Sequence, residues 1–398
     1  MKILIAGDMV VNQNNISLFK QGDINLILRG NLKNFWLSAD YKLFNLEAPI
    51  CDCDKPIDKS GPALKIPEEC INGIKTLKPD LCLLANNHIK DHGEEGVKNT
   101  TRLLEKNNID WIGTGSNINN LKKYNIVEFE GIKIAFYNCA ETEFTIATDN
   151  DSGANPYHDY YTNKDIKELK SQADKVIVLY HGGKECYRYP SPELQKRCRI
   201  MADNGADYVI CQHSHCIGCE EKYSNSTIVY GQGNFLFQTT DENNAKFFNT
   251  GLIIELDIDK EKNSINYIPI EQNIENGGIN LVKENAKNEI MEGFYKRSEE
   301  INNPKFVFEN YKQEVENTTG FYLDMFKRQD WLGILNNLQC ETHREAIEFA
   351  IKYTNLTEKK PIKISRGNKL FSVRCEEYAN RHRLIITILG TKIKIKID

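Results

Sequence analysis

Histidine and tryptophan are scarce in this 398-residue chain, with 8 and 3 copies, and long apolar runs are missing. No stretch approaches the roughly 20 consecutive apolar residues that a membrane helix needs. The apolar start of the sequence is interrupted at Asp8, too early for the apolar region of a signal peptide, so it predicts a buried first strand. We therefore expect a cytoplasmic protein without a transmembrane segment.

The sequence also lacks an excess of positive charge. Its 51 Lys and Arg residues against 56 Asp and Glu residues give a net charge of -5. Proteins that bind nucleic acid usually present a basic face, so we expect no nucleic-acid partner. The 12 cysteines, without a signal peptide, favour reduced thiols over a disulfide framework.

The composition is that of an ordinary globular protein, with 40% hydrophobic and 27% charged residues. The chain is long for one simple core, so we expect two domains. A polar segment containing Asn-Gly-Gly, at residues 271–278, is typical of a linker. The predicted units are therefore a domain at 1–270 and a C-terminal α+β extension at 271–398.

Apolar runs alternate with helical patterns over the first 215 residues or so, which predicts an α/β sheet covered on both faces. The runs predict strands at 3–6, 42–46, 81–85, 176–180 and 208–211. The helical patterns lie at 67–77, 93–107, 164–172 and 191–204. Asn163 is a candidate cap for the third helix, and Pro190-Ser191-Pro192 is a typical opening for the fourth.

Hairpins interrupt this alternation. Residues 124–129 and 132–138 predict two strands around the turn at Glu130-Gly131. Residues 227–230, 252–258 and 265–268 predict a second set, an antiparallel sheet that completes the domain. Beyond the linker, helices are predicted at 281–302, 309–327 and 341–354, followed by short strands within 361–398.

Four of the eight histidines and two acids follow predicted strands directly. Asp8 and Glu47 end the first two strands, at the edge where open α/β sheets place ligands. Two carboxylates at neighbouring strand ends repel each other unless a cation lies between them. His181 ends a later strand before Gly182-Gly183, which allows a sharp turn.

The pair His213 and His215 is the strongest local signal. On an extended chain, residues i and i+2 point to the same side, so both rings can reach one cluster. Imidazole and carboxylate are the usual ligands of catalytic Zn, Mn or Fe. The sequence therefore predicts a metal site.

The motif Asn86-Asn87-His88 follows the third strand. The side-chain carbonyl of Asn87 suits a hard or borderline cation, which leaves His88 free as a general acid or an oxyanion contact. Asp91 is placed to orient His88. His92, at the start of the next helix, is interpreted as structural or as a support to a ligand.

Several residues are candidates for contacting an anionic substrate, although such cations are more often solvated surface charges. Arg188 is the best of them because its planar guanidinium suits a phosphate or carboxylate. The other candidates are Lys184, Lys59, Lys65 and Asn234. Cys216-Ile217-Gly218-Cys219 is compatible with redox chemistry or with half a zinc site that Cys51 and Cys53 complete, but free thiols are the favoured interpretation.

Taken in order, these motifs resemble the bacterial capsule-synthesis family, often called CapA or PgsA after poly-γ-glutamate capsule proteins, a branch of the calcineurin-like metallophosphoesterases. The resemblance covers roughly residues 1–240. It depends on Gly7-Asp8, Asn45-Leu46-Glu47-Ala48-Pro49, Ala85-Asn86-Asn87-His88 with Asp91 and Gly93, His181-Gly182-Gly183-Lys184-Glu185, Asn204-Gly205-Ala206-Asp207, His213-Ser214-His215 and Gly233-Asn234-Phe235.

The resemblance implies a four-layer α-β-β-α sandwich that binds two divalent ions, of Mn, Zn, Fe or Mg. It implies that Asp8 and His215 hold one ion, that Asn87, His181 and His213 hold the other, and that Glu47 bridges them. The chain departs from the superfamily at Val10, where a histidine is usual, and at Glu47, where the bridging acid is usually aspartate.

These observations predict a metal-dependent hydrolase that acts on a phosphoester or related bond of an anionic small molecule or polymer through a bridging hydroxide. The alternative is a non-catalytic, metal-containing subunit of a complex that makes capsule, poly-γ-glutamate or cell-wall polymer. Capsule-biosynthesis proteins and a second copy of the chain are the candidate partners. The extension at 271–398 is interpreted as a lid, a partner-binding module or a dimer contact.

Overall fold

The computed structural model describes residues 1–240, 247–260 and 263–354, and the backbone of 371–378, 381–388 and 391–397. Its strands are β1 Lys2–Met9, β2 Tyr41–Leu46, β3 Leu81–Leu83, β4 Asp110–Ile112, β5 Thr114–Gly115, β6 Leu121–Lys122, β7 Tyr124–Phe129, β8 Ile132–Ala140, β9 Gly153–Ala154, β10 Lys175–His181, β11 Tyr208–Gln212, β12 Ile217–Tyr223, β13 Ser226–Gln232, β14 Asn234–Leu236, β15 Thr250–Ile258, β16 Asn263–Gln272, β17 Ile279–Leu281, β18 Phe371–Tyr378, β19 Arg381–Ile388 and β20 Thr391–Ile397. Its helices are α1 Ile16–Gln21, α2 Ile24–Ile27, α3 Asn31–Leu37, α4 Ile71–Thr76, α5 Gly93–Lys106, α6 Asp159–Lys170, α7 Pro192–Asp203, α8 Glu284–Glu300, α9 Pro304–Arg328, α10 Trp331–Gln339 and α11 Glu341–Tyr353, with 3-10 turns at Glu68–Cys70 and Ile118–Asn120.

Two mixed sheets form the centre of the fold. The first has the order β17-β16-β15-β1-β2-β3-β4, with β14 beside β1. The second has the order β12-β13-β11-β10-β8-β7. Within each sheet the central strands run parallel, so their carboxyl ends meet at one edge.

The layers follow from side-chain alternation along the strands. In β1, Ile3 and Ile5 pack between the sheets with Phe136 of the second sheet. The alternate residue Leu4 faces outward and packs with Trp36 of α3. Helices α6 and α7 cover the outer face of the second sheet in the same way. Because strand side chains alternate between faces, each apolar strand serves two cores, and the predicted four-layer α-β-β-α fold is confirmed.

The predicted strands of the α/β core are present, with shifts of a few residues at their ends. The prediction that Asn163 caps a helix is wrong, because α6 begins at Asp159 and His158 caps it through its ring nitrogen. The predicted opening of α7 is confirmed, since the Ser191 hydroxyl accepts a hydrogen bond from the amide of Leu194 at 3.1 Å. The short helices α1 to α3 were not predicted, because none is long enough to show a helical period.

The predicted second antiparallel set is wrong as one sheet. Strand β13 lies parallel to β11 in the second sheet. Strands β15 and β16 instead extend the first sheet, where β15 pairs antiparallel with β1. The hairpin period identified the strands, but it carries no information about which distant strand each one pairs with.

The segment predicted as a linker connects two strands of the first sheet, since β17 pairs with β16 through Gln272 and Ile279. After it, α8 packs on β12, where Arg297 donates hydrogen bonds to the carbonyls of Ile217 and Gly218. Helix α10 was not predicted. Strands β18 to β20 are the short strands expected within 361–398, and they pair antiparallel. The division into domains at residue 270 stays a prediction. Across the described helices, we find no segment with the length and apolarity to span a bilayer.

Candidate metal centre

The predicted site residues meet at the carboxyl edges of both sheets. Asp8 lies level with Asn45 of β2 and with Asn234 of β14. His181 lies level with Gln212, immediately before His213. A side chain at Gly7 would place its Cβ 1.9 Å from the carbonyl oxygen of Gly233, so only glycine permits this approach of β1 to β14.

Asp8 is fully buried and has fixed partners. Its Oδ1 accepts a hydrogen bond from the Asn45 amide at 2.7 Å, and its Oδ2 accepts one from the backbone amide of His213 at 2.9 Å. These contacts join the ends of β1, β2 and β11 around one carboxylate. The orientation of Asp8 is therefore set by the fold.

Glu47 is also fully buried, yet neither of its carboxylate oxygens has a hydrogen-bond partner among the described residues. The nearest basic atoms are the Nε2 atoms of His181, at 3.3 Å, and of His215, at 3.8 Å. Burial and the neighbouring Asp8 raise the pKa of Glu47 well above its ordinary value. A buried carboxylate without partners is costly unless something positive lies beside it.

His181, Asn87 and His213 form one side of the cluster. The Nε2 of His181 lies 3.0 Å from the side-chain oxygen of Asn87 and 3.1 Å from the Nδ1 of His213. On its other edge the ring faces the Asn45 amide at 3.1 Å. Three atoms that can donate to a metal thus lie together beside Glu47.

His215 forms the other side. Its Nδ1 lies 2.9 Å from the Asn234 side-chain oxygen and 3.5 Å from Asp8, which leaves Nε2 directed toward Glu47. The rings of Phe237 and Phe248 pack against it, with centroids 5.3 and 4.9 Å away. The contact of Asn234 is therefore with His215, and its predicted contact with substrate stays a prediction.

The reason given for pairing His213 with His215 is wrong, although both rings reach the cluster. The backbone at these residues is not extended: φ is +84° at His213 and +53° at His215. Residues other than glycine rarely adopt this left-handed backbone conformation, and backbone strain of this kind is concentrated at functional sites. A strained turn, rather than strand alternation, directs the two rings inward.

The protonation of the three histidines is set by their surroundings. Burial lowers the pKa of His181 to about 3 and also lowers that of His213 well below the ordinary value, so both rings are neutral and can donate to a metal. Burial acts in the same direction on His215, but the carboxylates of Glu47 and Asp8 outweigh it and raise the pKa.

Two groups of possible ligands share one carboxylate. Asp8, Glu47 and His215 form one group, and Glu47, His181 and His213 form the other; in each, the donor atoms lie within 4.8 Å of one another. The side chain of Val10 is buried and offers no donor, and its amide donates to the carbonyl of Leu236 at 2.8 Å. The two groups therefore meet at Glu47.

His88 lies beside this cluster in a chain of polar contacts. Its Nδ1 lies 2.6 Å from Asp91 Oδ2, and the Nζ of Lys59 contacts Asp91 Oδ1 at 2.5 Å. Burial lowers the pKa of His88, against the raising effect of Asp91. Lys59 was predicted as a contact for substrate, but its side chain is 2% exposed and ion-paired with Asp91.

The other predicted cations have partners away from the cluster. Lys184 forms an ion pair with Glu314 of α9 at 3.4 Å. The Nε of Arg188 donates to the carbonyl of Ile217 at 2.9 Å, and its guanidinium lies over the ring of Phe247. Lys65 contacts Asp54 and the carbonyl of Cys53. Their roles in binding an anion stay predictions.

Three carboxylates near His213 were missed in the sequence. Glu143 lies 3.8 Å from the Nε2 of His213, and Glu141 belongs to the same group of possible ligands. Glu185 has its donor atom within 4.8 Å of those of His213 and His215. Of the three, only Glu185 lies within a recognised motif. Glu141 and Glu143 were missed because the loop after β8, which holds them, carries no pattern that indicates a metal site.

The helices after residue 300 contact the loops around the cluster. Asn336 accepts a hydrogen bond from the amide of Ser60, next to Lys59. Thr342 donates to Glu141 at 2.7 Å, and Glu314 pairs with Lys184. The extension thus borders the site, although its predicted roles as lid, partner module or dimer contact stay open.

We expect Asn234→Ala to weaken metal binding on the His215 side by roughly 10–100-fold, the usual effect of losing a group that orients a ligand. Titration of the metal-free protein should then resolve one weakened site and one unchanged site. Asn155→Ala is the control, since that buried amide donates to the carbonyl of Asn138. Equal weakening of both sites would contradict the assignment of Asn234 to His215.

Glu141 predicts a pH dependence of stability in metal-free protein. Its Oε2 accepts hydrogen bonds from the Gly183 amide and from Thr342, but burial raises the pKa of Glu141 to about 7. The pKa of a glutamate in the unfolded chain is about 4.3, so the folded state binds the proton of Glu141 more tightly than the unfolded state does. The stability that this proton contributes is complete below about pH 4 and is lost as the pH rises through 7. We expect urea unfolding to show a fall of roughly 3 kcal/mol over this range relative to Glu141→Gln. Parallel pH profiles for the two proteins would contradict it.

The sequence matches known proteins over the part that carries the site. Residues 2–239 match the family model described as "Bacterial capsule synthesis protein PGA_cap". The capsule biosynthesis protein CapA of Bacillus anthracis is 26% identical over 242 residues, which cover 58% of this chain and 59% of that protein. The PGA biosynthesis protein CapA of Bacillus subtilis (strain 168) is 30% identical over 210 residues, covering 50% and 54%. The chain spans somewhat more than half the length of these curated relatives.

Solved structures align at low identity. A hypothetical protein from Thermus thermophilus aligns with a TM-score of 0.44 at 15% identity, over 69% of this chain and all of that one. A putative 5'-nucleotidase from Staphylococcus aureus aligns with a TM-score of 0.42 at 15% identity, over 73% and 58% of the two chains.

Proposed function

This chain belongs to the bacterial capsule synthesis protein family PGA_cap, and from that premise we propose that it is a metal-dependent hydrolase acting on a phosphoester or related bond of an anionic substrate. The observation that carries the proposal is Glu47, a fully buried carboxylate whose two oxygens have no partner among the described residues. Burying a carboxylate without a partner costs stability, and a bound cation would offset that cost.

The donor set fits two divalent cations. With metal bound, Asp8 and Glu47 would bring two negative charges into a buried site, and His181 and His213 are neutral. Carboxylate, imidazole and amide oxygen together suit Mn, Zn, Fe or Mg. In this proposal Asp8 and His215 hold one ion, Asn87, His181 and His213 hold the other, and Glu47 bridges them.

When bound, such ions lower the pKa of water toward neutrality and neutralise charge on the substrate. The chain's own contribution is positional. Asn45 fixes Asp8 and one edge of His181, and Asn234 fixes His215. His88, held by Asp91, is placed to give a proton to a leaving group or to contact an oxyanion.

The test is metal content together with hydrolysis, measured on the same purified samples of the wild-type chain and of His213→Ala. We expect about two metals per chain in the first protein, fewer in the variant, and metal-dependent turnover of a generic phosphodiester or phosphomonoester. Absence of bound metal after reconstitution with Mn, Zn, Fe and Mg would refute the site assignment. Bound metal without hydrolysis of esters or amide-linked polymers would refute the hydrolase.

A second candidate is a non-catalytic subunit of a complex that makes capsule, poly-γ-glutamate or cell-wall polymer. Val10 favours it, because the first ion has no histidine at that position and is held by fewer ligands. Recovery of a ligase or transporter in a pull-down, together with no hydrolysis, would support this function. In either case we propose a cytoplasmic location, which cell fractionation can test.

A further inference from the structure

A second group of metal-binding side chains lies outside the Glu47 cluster. Cys51 and Cys53 lie in the loop after β2, and His92 immediately precedes α5. The two sulfur atoms and one ring nitrogen lie within 4.8 Å of one another. Two thiols and an imidazole form a softer donor set than the carboxylates and imidazoles around Glu47.

The imidazole of His92 gives an independent indication of a missing ligand. The residue is 3% exposed, and its Nδ1 accepts a hydrogen bond from the amide of Lys55 at 3.1 Å. Its Nε2 is buried and has no hydrogen-bond partner among the described residues. Buried polar atoms of native proteins nearly always have a partner, so each exception requires an explanation.

We infer that Cys51, Cys53 and His92 bind a single thiophilic divalent cation of the Zn²⁺ type. Three protein ligands with a position left for solvent are a common arrangement around zinc. Binding releases the two thiol protons to solvent and moves the ring proton from Nε2 to Nδ1. The hydrogen bond from Lys55 to Nδ1 must therefore open, and a local shift at Lys55 accompanies binding.

The same loop carries Lys59 into contact with Asp91, next to His88. The start of this loop is held by a hydrogen bond from the backbone amide of Cys51 to the carbonyl of Ile66 at 2.9 Å. A cation on Cys51, Cys53 and His92 joins this loop to the start of α5. The bound ion thus fixes the segment from which Lys59 reaches the candidate catalytic side chain.

Cobalt spectroscopy distinguishes this site from the Glu47 cluster. The reduced, metal-stripped full chain is titrated with Co²⁺, because only thiolate ligands produce a sulfur-to-cobalt charge-transfer band. We expect one equivalent with that band in wild type, none in Cys51→Ser/Cys53→Ser, and binding weakened by more than roughly 100-fold in His92→Gln. The control is Cys198→Ser/Cys211→Ser, a buried pair whose sulfurs lie 3.6 Å apart, which should keep the band.

Alkylation of wild-type protein tests the same site without a substitution. Cys53 is half-buried and Cys186 is exposed. We expect Zn²⁺ to slow alkylation of Cys53 by about 10-fold or more, because a thiolate bound to the metal is a poorer nucleophile than a free one, and to leave Cys186 unchanged. A wild-type titration without the band, a band that persists in the double variant, or equal alkylation with and without Zn²⁺ would overturn the inference. None of these results depends on whether the Glu47 cluster catalyses hydrolysis.

Discussion

Glu47→Gln is expected to abolish cooperative metal binding and, at the same time, to stabilise the metal-free protein. In metal-free protein the Glu47 carboxylate is buried beside Asp8 without a hydrogen-bond partner among the described residues. An amide of the same shape cannot ionise, so it removes the cost of keeping this carboxyl group protonated or charged inside the fold. The gain grows by about 1.4 kcal/mol for each pH unit between the unfolded pKa, about 4.3, and the raised folded pKa.

With metal present, the sign of the effect reverses. Wild type should gain thermal stability on adding metal, whereas Glu47→Gln should gain little, because a ligand that binds only the native state stabilises it. Turnover should fall by more than roughly 100-fold, beyond the effect of losing a group that only orients a ligand. The measurements are melting temperature, metal stoichiometry and rate, each with metal and with chelator.

Metal-free stability should also depend on pH through Glu47. Its pKa is raised in the folded state from an unfolded value of about 4.3. The stability contributed by protonated Glu47 is therefore complete below about pH 4 and is lost as the pH rises through the raised pKa. Glu221→Gln is the matched control, since Glu221 is also buried but accepts hydrogen bonds from Arg199 and Tyr230. Full activity in metal-free Glu47→Gln would refute the bridging role.

His88→Asn is expected to retain both metals and to lose roughly 10²–10⁴-fold in kcat, the usual contribution of a general acid. His88 lies next to Asn87 in the chain, but its ring contacts Asp91 and Lys59 instead of the Glu47 cluster. Metal content should therefore match wild type while turnover falls. Loss of metal together with activity would instead make His88 a ligand.

The pH–rate profile separates catalysis by His88 from a structural role. Burial lowers the pKa of His88, and Asp91 opposes that effect. For a general acid, the rate falls as the pH rises through this pKa. Asp91→Asn should shift this limb of the profile to lower pH, because the group that raises the pKa is gone. If the pH–rate profile of Asp91→Asn matches that of wild type, Asp91 does not tune the pKa of His88 and its role is structural.

The strand ends were predictable because their signals are local. Asp8, Glu47 and His181 each follow an apolar run directly, and a parallel sheet collects such ends at one edge. Cys216 and Cys219 are both buried in the structure, and the preference for free thiols at these positions stays a prediction. Residue type and position relative to a strand were sufficient for these predictions.

Errors arose where a residue's partner is distant in sequence. Lys59 resembled a surface cation until the fold placed it against Asp91, 32 residues away. Likewise, β13 and β15 resembled neighbours, yet they belong to different sheets. Glu143 has no motif, and only the packing of the loop after β8 brings it near His213.

The sequence by itself determined the α/β class and predicted the ligand types of the candidate site, because the apolar period and the order of residue types can be read directly from the chain. Tertiary structure decided which carboxylate is left without a partner among the described residues, which asparagine holds which histidine, and which cations are already neutralised. It also brought Cys51 and Cys53 to His92, about 40 residues along the chain. Those outcomes depend on contacts between remote segments, and burial, which sets charge and hydrogen bonding, exists only once the chain has folded.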